Sequence, residues 1–287
     1  MFKFLRIFFF SVVGIFALIG VLFTAVFFAM QFGLLNVRGS IASRNAFFGF
    51  PSAPTGGVLG VASSTPPCVD AAVAVCNWTQ TPEWAVIQAG LLKDQSVVAR
   101  VSAETGVPAR MIVAAAVPEQ IRFFTAEREV FKRYFEPLKI LGSLSQFSLG
   151  VSGIKQDTAN HIEQYVADAS SPFYPGPNLL RFVAYTSDAN HDTQLYDRLT
   201  DPKDHYYSYL YTALYIKEIE AQWQRAGFDI SQNPAAVVTL FNIGFKGSHP
   251  DPNPAAGGAA ITTGGTTYVY GELGANFYNS TELPEFQ

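Results

Sequence analysis

The chain has 287 residues, with 19 Lys and Arg against 23 Asp and Glu, and a formal net charge of −4 at pH 7. No basic stripe and no phosphate-binding loop occurs, which argues against nucleic-acid and nucleotide binding. No internal repeat is found, and the 180 residues from 67 to 246 are enough for one compact domain.

A membrane-spanning helix is predicted at the N-terminus. The stretch from Ile7 to Met30 contains no charged residue. Its length exceeds the roughly 20 apolar residues that a helix needs to cross a bilayer, and it exceeds the apolar core of a signal peptide, which has about 7–15 residues. We therefore predict a transmembrane anchor over residues 1–38, which places the rest of the chain on the extracytoplasmic side, in the periplasm or facing the cell wall. The alternative is a cleaved signal peptide.

Residues 39–66 are rich in Gly, Ser, Ala and Pro, a composition typical of a linker. Phe47, Phe48 and Phe50 are unusual for a free linker, and they are expected to lie either on the membrane or on the following domain. Cys68 and Cys76 come next. In an oxidising compartment they would form a disulfide that closes a small loop, and the alternative is two buried thiols. They lack the partners of a zinc site, so no metal site is predicted.

Residues 67–246 are predicted to form a helical domain. Thr81-Pro82 predicts a helix start, Gly106 a helix end and Pro108 the start of the next helix. Asp201-Pro202 is predicted to start a long helix, and Asn233-Pro234 to cap another. Residues 160–200, with several prolines, are predicted to be loop-rich. The fold class is therefore mainly α.

Residues 247–287 form a Gly- and Pro-rich C-terminal segment. Its first prolines exclude a helix. Two runs rich in β-formers, 259–263 and 266–270, are separated by Gly264-Gly265 and predict a small β-hairpin.

Three segments occur in order: VPEQIRFF at 117–124, SLGVSGIKQDTA at 148–159 and LFNIGF at 240–245. In this order they resemble the motifs of lysozyme-like lytic transglycosylases, in the superfamily of soluble lytic transglycosylases and goose-type lysozymes. That family carries Glu-Ser-x-Phe, then Ser-x-Gly-Leu-Met-Gln-Ile-x-Pro-x-Thr-Ala, then Ala-Tyr-Asn-x-Gly. The resemblance covers residues 95–245, including a helix-turn-helix lead-in over 97–124.

The resemblance implies a lysozyme-like fold and a peptidoglycan glycan strand as the substrate. Glu119 would protonate the leaving oxygen of the MurNAc-GlcNAc β-1,4 bond. It would then act as base on the C6 hydroxyl of the same muramic acid, which gives a 1,6-anhydro product. The substrate-binding residues that the resemblance implies are Ser148, Gly150, Gly153, Phe241 and Asn242. It implies no cofactor.

The residues around Glu119 suit a general acid. A carboxylic acid can donate a proton only while it is protonated, and burial against apolar groups disfavours the anion. The sequence neighbours of Glu119 predict such an environment: Val117, Pro118, Ile121, Phe123 and Phe124. Neither later motif has an Asp at the position where a second catalytic carboxylate would be expected, which favours a transglycosylase over a hydrolase.

The chain departs from the family pattern at several positions. Gln120 replaces Ser, Gly153 replaces a Gln that contacts substrate, and Phe241 replaces a Tyr whose hydroxyl lies near the Glu. Pro118 removes a backbone donor beside Glu119. Two alternatives stay open. One is a muramidase that uses water with the same Glu as acid, and the other, which the departures at Gly153 and Phe241 favour, is a non-catalytic glycan-binding scaffold on a degenerate lysozyme fold.

Each motif residue also has an ordinary structural interpretation. Glu119 alone could be a solvated helix carboxylate. Gly150 and Gly153 suit a turn in any fold, and Asn242 and Gly244 suit the end of a helix. The residues between Phe123 and Ser148 could form a lid or an amphipathic helix. The sequence does not indicate any protein partner.

Overall fold

The structure is a computed structural model. The molecule is mainly helical, as predicted, and it has small antiparallel hairpins. It describes residues 77–125, 148–185 and 190–287, together with residues 6, 9–14, 16–18, 20, 21, 24, 44, 47–49, 69, 70, 73 and 74. The helices are α1 (Pro82–Lys93), α2 (Gln95–Thr105), α3 (Ala109–Thr125), α4 (Gln156–Ala167), α5 (Leu180–Val183), α6 (His191–Thr200), α7 (Tyr206–Arg225), α8 (Pro234–Ile243) and α9 (Tyr270–Asn279).

Among the described residues, the strands form three two-stranded antiparallel hairpins. These pair β1 (Val69–Asp70) with β2 (Val73–Ala74), β3 (Ser148–Leu149) with β4 (Ile154–Lys155), and β5 (Ala260–Thr263) with β6 (Thr266–Val269). The last is the predicted hairpin. Its turn residues Gly264 and Gly265 have φ values of 55° and 76°, which a tight hairpin turn requires.

Helix boundaries follow the predicted caps in three places. The Thr81 hydroxyl accepts a hydrogen bond from the Trp84 N–H at 3.2 Å, and the Asn233 side chain accepts one from the Ala236 N–H at 3.0 Å. Both satisfy otherwise unpaired donors in the first turn of a helix. Gly106 ends α2 in the left-handed conformation with φ 74°.

Helix α3 lies at the centre of the fold and contacts α1, α2, α7, α8 and α9. Its residues 110–118 are all buried. The helix continues through Pro118, which cannot donate a hydrogen bond to the Ala114 carbonyl. Gly274 of α9 packs on that carbonyl so closely that an added Cβ would lie 2.8 Å from its oxygen.

Two predictions about the helices are wrong. The long helix α7 starts at Tyr206 and not at Asp201-Pro202, because the Asp201 carboxylate accepts hydrogen bonds from the N–H groups of Lys203 and Asp204 and stabilises a turn. Residues 160–200 are also less loop-rich than predicted. They contain most of α4, all of α5 and all of α6, and Ile162, Val166, Leu195 and Leu199 of these helices are buried.

The C-terminal segment joins the helical core. Helix α9 packs against α3 and α8. The buried Arg110 of α3 donates hydrogen bonds to five carbonyl groups around the end of α9, those of Phe277, Tyr278, Ser280, Glu282 and Leu283. The guanidinium thereby satisfies carbonyls that a helix end leaves unpaired.

The N-terminal region is described at few positions. Residues 9–14 and 16–18 are helical, and the side chains of Phe9, Phe10 and Phe16 are exposed. Half of the positions in the predicted span Ile7–Met30 lie outside the described residues. Within the part of the chain that is described, no helix is both long enough and apolar enough to cross a bilayer.

Two of the linker phenylalanines lie on the domain. Phe48 is fully buried, and its ring packs so closely on Gly90 of α1 that Gly90 has no room for a Cβ. Phe47 stacks on the His205 ring with 4.8 Å between ring centroids. Phe50, Cys68 and Cys76 lie outside the described residues.

Candidate functional site

A cavity of about 380 Å³ opens where α3, α4, α7, α8 and the β3–β4 turn meet. It brings together residues from all three sequence segments that resemble the transglycosylase motifs. Its lining residues are Glu119, Arg122, Ser152, Gly153, Ile154, Lys155, Thr158, Tyr215, Phe241, Asn242, Ile243, Gly244, Ala259 and Tyr270. Four predicted site residues, Glu119, Gly153, Phe241 and Asn242, are therefore neighbours.

Glu119 lies two thirds of the way along α3, and 16% of its side chain is exposed. Its Oε2 lies 3.6 Å from Nη1 of Arg122, one turn later on the same helix. The apolar surroundings predicted for this carboxyl are not those found. Val117, Pro118 and Ile121 are buried in the core, and none of them lines the cavity. The groups closest to the carboxyl include the Arg122 guanidinium and the backbone of Gly153.

Gly153 leaves the space that the Glu119 side chain occupies. A Cβ added at Gly153 would lie 2.5 Å from Oε1 of Glu119 and 2.6 Å from its Cδ. Gly153 also has φ +67°, a conformation that L-residues rarely adopt. The glycine that departs from the family pattern thus has two physical reasons to be a glycine in this chain.

Two hydrogen bonds to the backbone of Val151 hold the turn that carries Gly153. The Val151 N–H donates to the Ser208 hydroxyl of α7 at 2.7 Å, and the Val151 carbonyl accepts from the Gln120 amide of α3. Both Gln120 and Ser208 are buried. Gln120, which replaces the family Ser beside the glutamate, therefore binds the turn that covers Glu119.

Gly150 is not among the lining residues. It packs closely against α6 and α7, where an added Cβ would overlap the Leu199 carbonyl and the Ser208 side chain. Its φ of +65° and this close approach explain the glycine by packing alone. The side chain of Ser148 lies outside what the structure describes. Sequence order placed both residues in the motif, but it did not predict which way the backbone turns.

Phe241 and Tyr215 form an aromatic wall of the cavity. Their ring centroids are 5.4 Å apart at an interplanar angle of 73°, and Tyr215 makes a similar contact with Phe245 at 5.1 Å. Such edge-to-face pairs stabilise by about 0.5–1.5 kcal/mol beyond the area they bury. Of the tyrosines of α7, Tyr215 is the one that lines the cavity, whereas Tyr206, Tyr209 and Tyr211 are buried in the core.

The side chain of Asn242 holds a wall of the cavity with its oxygen and presents its amide nitrogen to the cavity. Its Oδ1 accepts a hydrogen bond from the Ala259 N–H at 2.9 Å, which fixes the segment that precedes β5 as a wall of the cavity. The amide nitrogen supplies two further donors at the cavity. Gly244 ends α8 with φ +88°, in keeping with a helix stop.

The predicted site residues do not include Arg122, Lys155 and Tyr215, which also line the cavity. Arg122 could have been found, because a residue three positions after Glu119 lies on the same helical face. The tyrosines of α7 have a helical spacing that favours core packing over a sugar cleft, and the sequence did not single out Tyr215, whose position depends on how α7 packs.

The site combines one acid with donors and an aromatic wall. Among the described residues that line the cavity, Glu119 is the only carboxylate, and Arg122 and Lys155 are the cations. This set can transfer a proton and hold a polar ligand of sugar size. Comparison of the chain with protein-family models, with curated proteins and with solved structures found no match in any of the three.

Proposed function

We propose that this chain is a membrane-anchored lytic transglycosylase with a lysozyme-like fold, which cleaves the MurNAc-GlcNAc β-1,4 bond of peptidoglycan. The observation that carries the proposal is the meeting of Glu119, Gly153 and Asn242 in one cavity. These residues come from three segments separated by up to about half of the chain, and they were selected by their resemblance to one family.

In the proposed reaction Glu119 starts as a carboxylic acid. It donates its proton to the glycosidic oxygen as the bond from that oxygen to C1 of the muramic acid breaks. The resulting carboxylate then removes the proton of the C6 hydroxyl, whose oxygen bonds to C1. One glycosidic bond is exchanged for an internal 1,6-anhydro bond, no water is consumed, and Glu119 regains its proton. General acid–base catalysis of this kind typically contributes about 10²–10⁴-fold.

The absence of a second carboxylate in the described lining supports this route over direct hydrolysis. Most glycosidases place two carboxyl groups about 5–10 Å apart, one as the acid and one as the nucleophile or base. Here a single carboxylate has to serve both steps. Asn242 and the cations Arg122 and Lys155 supply hydrogen-bond donors for sugar oxygens, and Tyr215 and Phe241 supply an apolar face for a pyranose ring.

The anchor is part of the proposal. An uncharged, largely apolar stretch from Ile7 to Met30 follows Lys3 and Arg6, and the described residues in it are helical with exposed phenylalanines. A substrate outside the cytoplasm requires the domain to lie on that side of the membrane. A reporter that is active only in the cytoplasm, fused after Gln287, should therefore give no signal.

A second candidate function is a non-catalytic glycan-binding scaffold. It is favoured by the ion pair between Glu119 and Arg122, and by Phe241, which cannot supply the hydroxyl that the family places near the glutamate. Mass spectrometry of peptidoglycan sacculi digested with the full-length protein distinguishes the candidates. The proposal predicts fragments with 1,6-anhydro ends. Reducing ends would indicate a hydrolytic muramidase, and binding without any cleavage would indicate the scaffold.

A further inference from the structure

A second, larger cavity adjoins the first. Its volume is about 600 Å³, against about 380 Å³ for the cavity of Glu119. The two share Lys155, Thr158, Tyr215, Ile243 and Gly244 as a common border. A ligand that fills the first cavity can therefore extend into the second without leaving the protein surface.

The second cavity has cationic side chains on two of its sides. Lys155 at the start of α4 and Lys246 after α8 both line it, together with His161 and one acid, Asp157. Within the described part of the chain, neither lysine forms an ion pair, and the Lys246 ammonium lies 5.2 Å from the centroid of the Tyr165 ring. Both lysines are exposed, so they can reach a bound anion.

A buried acid near Lys246 does not neutralise it. Glu218 of α7 is fully buried, and neither of its carboxyl oxygens has a hydrogen-bond partner among the described residues. Burial raises the pKa of Glu218 to about 10, although the charge of Lys246 acts in the opposite direction. At neutral pH this carboxyl is uncharged, and the positive charge of Lys246 remains available to a ligand.

The remaining lining is suited to an amphipathic chain. Tyr165 and Tyr215 are half-buried aromatic walls, and Ile243, which is 62% exposed, stands at the border of the two cavities. A ligand here would contact aromatic and aliphatic groups along its length and cations at its acidic groups. This combination fits a short peptide that carries carboxylates better than it fits a neutral sugar.

We propose that the second cavity binds carboxylate groups of the peptide stem of peptidoglycan, with Lys246 and Lys155 as their partners, while the glycan occupies the cavity of Glu119. This inference rests on the proposed function, because it takes the glycan to lie in the first cavity. Two sources of a carboxylate exist on the muramic acid: the stem peptide itself, and the lactyl group that is exposed when the stem is removed.

The test measures equilibrium binding of the full-length Glu119→Gln protein, which should not cleave the ligand during the experiment, to three soluble glycan oligomers. One carries intact stems, one carries stems whose carboxylates have been amidated, and one has no stems but a free lactyl carboxylate. We expect the intact stems to bind about tenfold more tightly than either of the others, a difference typical of a charged hydrogen bond. The preference should weaken at high salt, because the lysines are exposed.

Lys246→Gln, added to this protein, should abolish the preference, and Lys246→Arg should retain it. The matched control is Lys203→Gln, an exposed lysine in the turn before α7 that lines neither cavity. Equal binding of all three oligomers, or a preference that survives Lys246→Gln, would overturn the inference while leaving the proposed function intact. Tight, Lys246-dependent binding of the stem-free oligomer would also overturn it and assign the cavity to the lactyl group. Failure to bind any of the oligomers would refute the proposed function as well.

Discussion

The carboxyl group of Glu119 lies against the backbone of Gly153, in space that a side chain at position 153 would occupy. A Cβ at position 153 would lie 2.5 Å from Oε1 of Glu119, and real Cβ atoms do not approach other atoms so closely. The contact joins α3 to the β3–β4 turn across 34 residues of sequence. It makes the position of the carboxyl depend on the shape of that turn.

Gly153→Ala should therefore displace the Glu119 side chain. The proposed glycan-cleaving activity should fall by about 10²-fold, since a displacement of about 1 Å can have that effect on a catalytic group. Stability should also fall by about 1–2 kcal/mol, because an L-residue is strained at φ +67°.

The matched control for this variant is Gly265→Ala in the C-terminal hairpin. Gly265 has φ +76°, but an added Cβ there meets nothing within 4 Å. This substitution should have a similar effect on the free energy of unfolding and leave activity unchanged. Equal activity of the two alanine variants would show that the Gly153 contact does not position the carboxyl.

Ser208→Ala tests how the turn is held. It removes the acceptor for the Val151 N–H, a buried donor, and should lower the free energy of unfolding by about 1–3 kcal/mol. Activity should fall with it, because the same turn carries Gly153. Thr212→Val, one helical turn later, removes a hydroxyl whose one hydrogen bond within the described residues is to the Ser208 carbonyl of its own helix. Urea denaturation should find the stability of this variant close to that of the wild type. Wild-type stability of the Ser208→Ala protein would exclude this account of the turn.

Glu218 should make stability depend on pH. Its pKa is raised by burial from 4.5 to about 10, so between these values the folded state holds a proton that the unfolded state has released. The contribution of Glu218 to the free energy of unfolding should therefore be largest below about pH 4.5, and it should fall as the pH rises toward 10. The slope is at most about 1.4 kcal/mol per pH unit.

Glu218→Gln should remove this dependence, because the amide stays uncharged, and the variant should be more stable than the wild type by several kcal/mol at pH 8. Glu220→Gln on the same helix is the control, since Glu220 pairs with Lys217 at 3.0 Å and is not fully buried. Denaturation midpoints between pH 5 and pH 9 measure the effect. Parallel curves for the wild type and Glu218→Gln would show that Glu218 is charged in the folded protein.

The cysteine pair is expected to be oxidised. Cys68 and Cys76 lie outside the described residues, and they stand in sequence just before and just after the β1–β2 hairpin, in which Val69 pairs with Ala74. Protein isolated from cells should resist alkylation of both thiols until it is reduced, as mass spectrometry can show. Two thiols that react without reduction would argue against both the disulfide and an oxidising location.

Much of the fold was predictable because local signals determine it. Thr81, Gly106 and Asn233 end or begin helices through interactions within a few residues, and Gly264-Gly265 specifies its hairpin turn. Helix α9 was not predicted. Its sequence contains Gly271 and Gly274, which disfavour an isolated helix. The helix forms through packing, since an added Cβ at Gly271 or Gly274 would lie within 3 Å of the Ala235 or Ala114 carbonyl.

Some residues of the candidate site were predictable from the sequence, but their orientation was not. The motif order identified Glu119, Gly153 and Asn242, which the fold brings together. It did not indicate that Gly150 would face α7, that Gln120 would bind the turn, or that Arg122 would lie 3.6 Å from Glu119. These features depend on contacts between residues far apart in sequence, which a single sequence does not reveal.

The central claim is that Glu119 is the acid and base of a glycan-cleaving reaction, and the most direct test is the rate at which wild type and Glu119→Gln release 1,6-anhydro fragments from sacculi. The amide keeps the shape of the side chain and removes its proton, so the rate should fall by at least about 10²-fold while the melting temperature changes little. Glu285→Gln, an exposed carboxylate outside the cavity, should cleave at the wild-type rate. Equal rates for wild type and Glu119→Gln would contradict the account and move the chemistry to another carboxylate, with Glu127 and Glu129, outside the described residues, as the nearest in sequence.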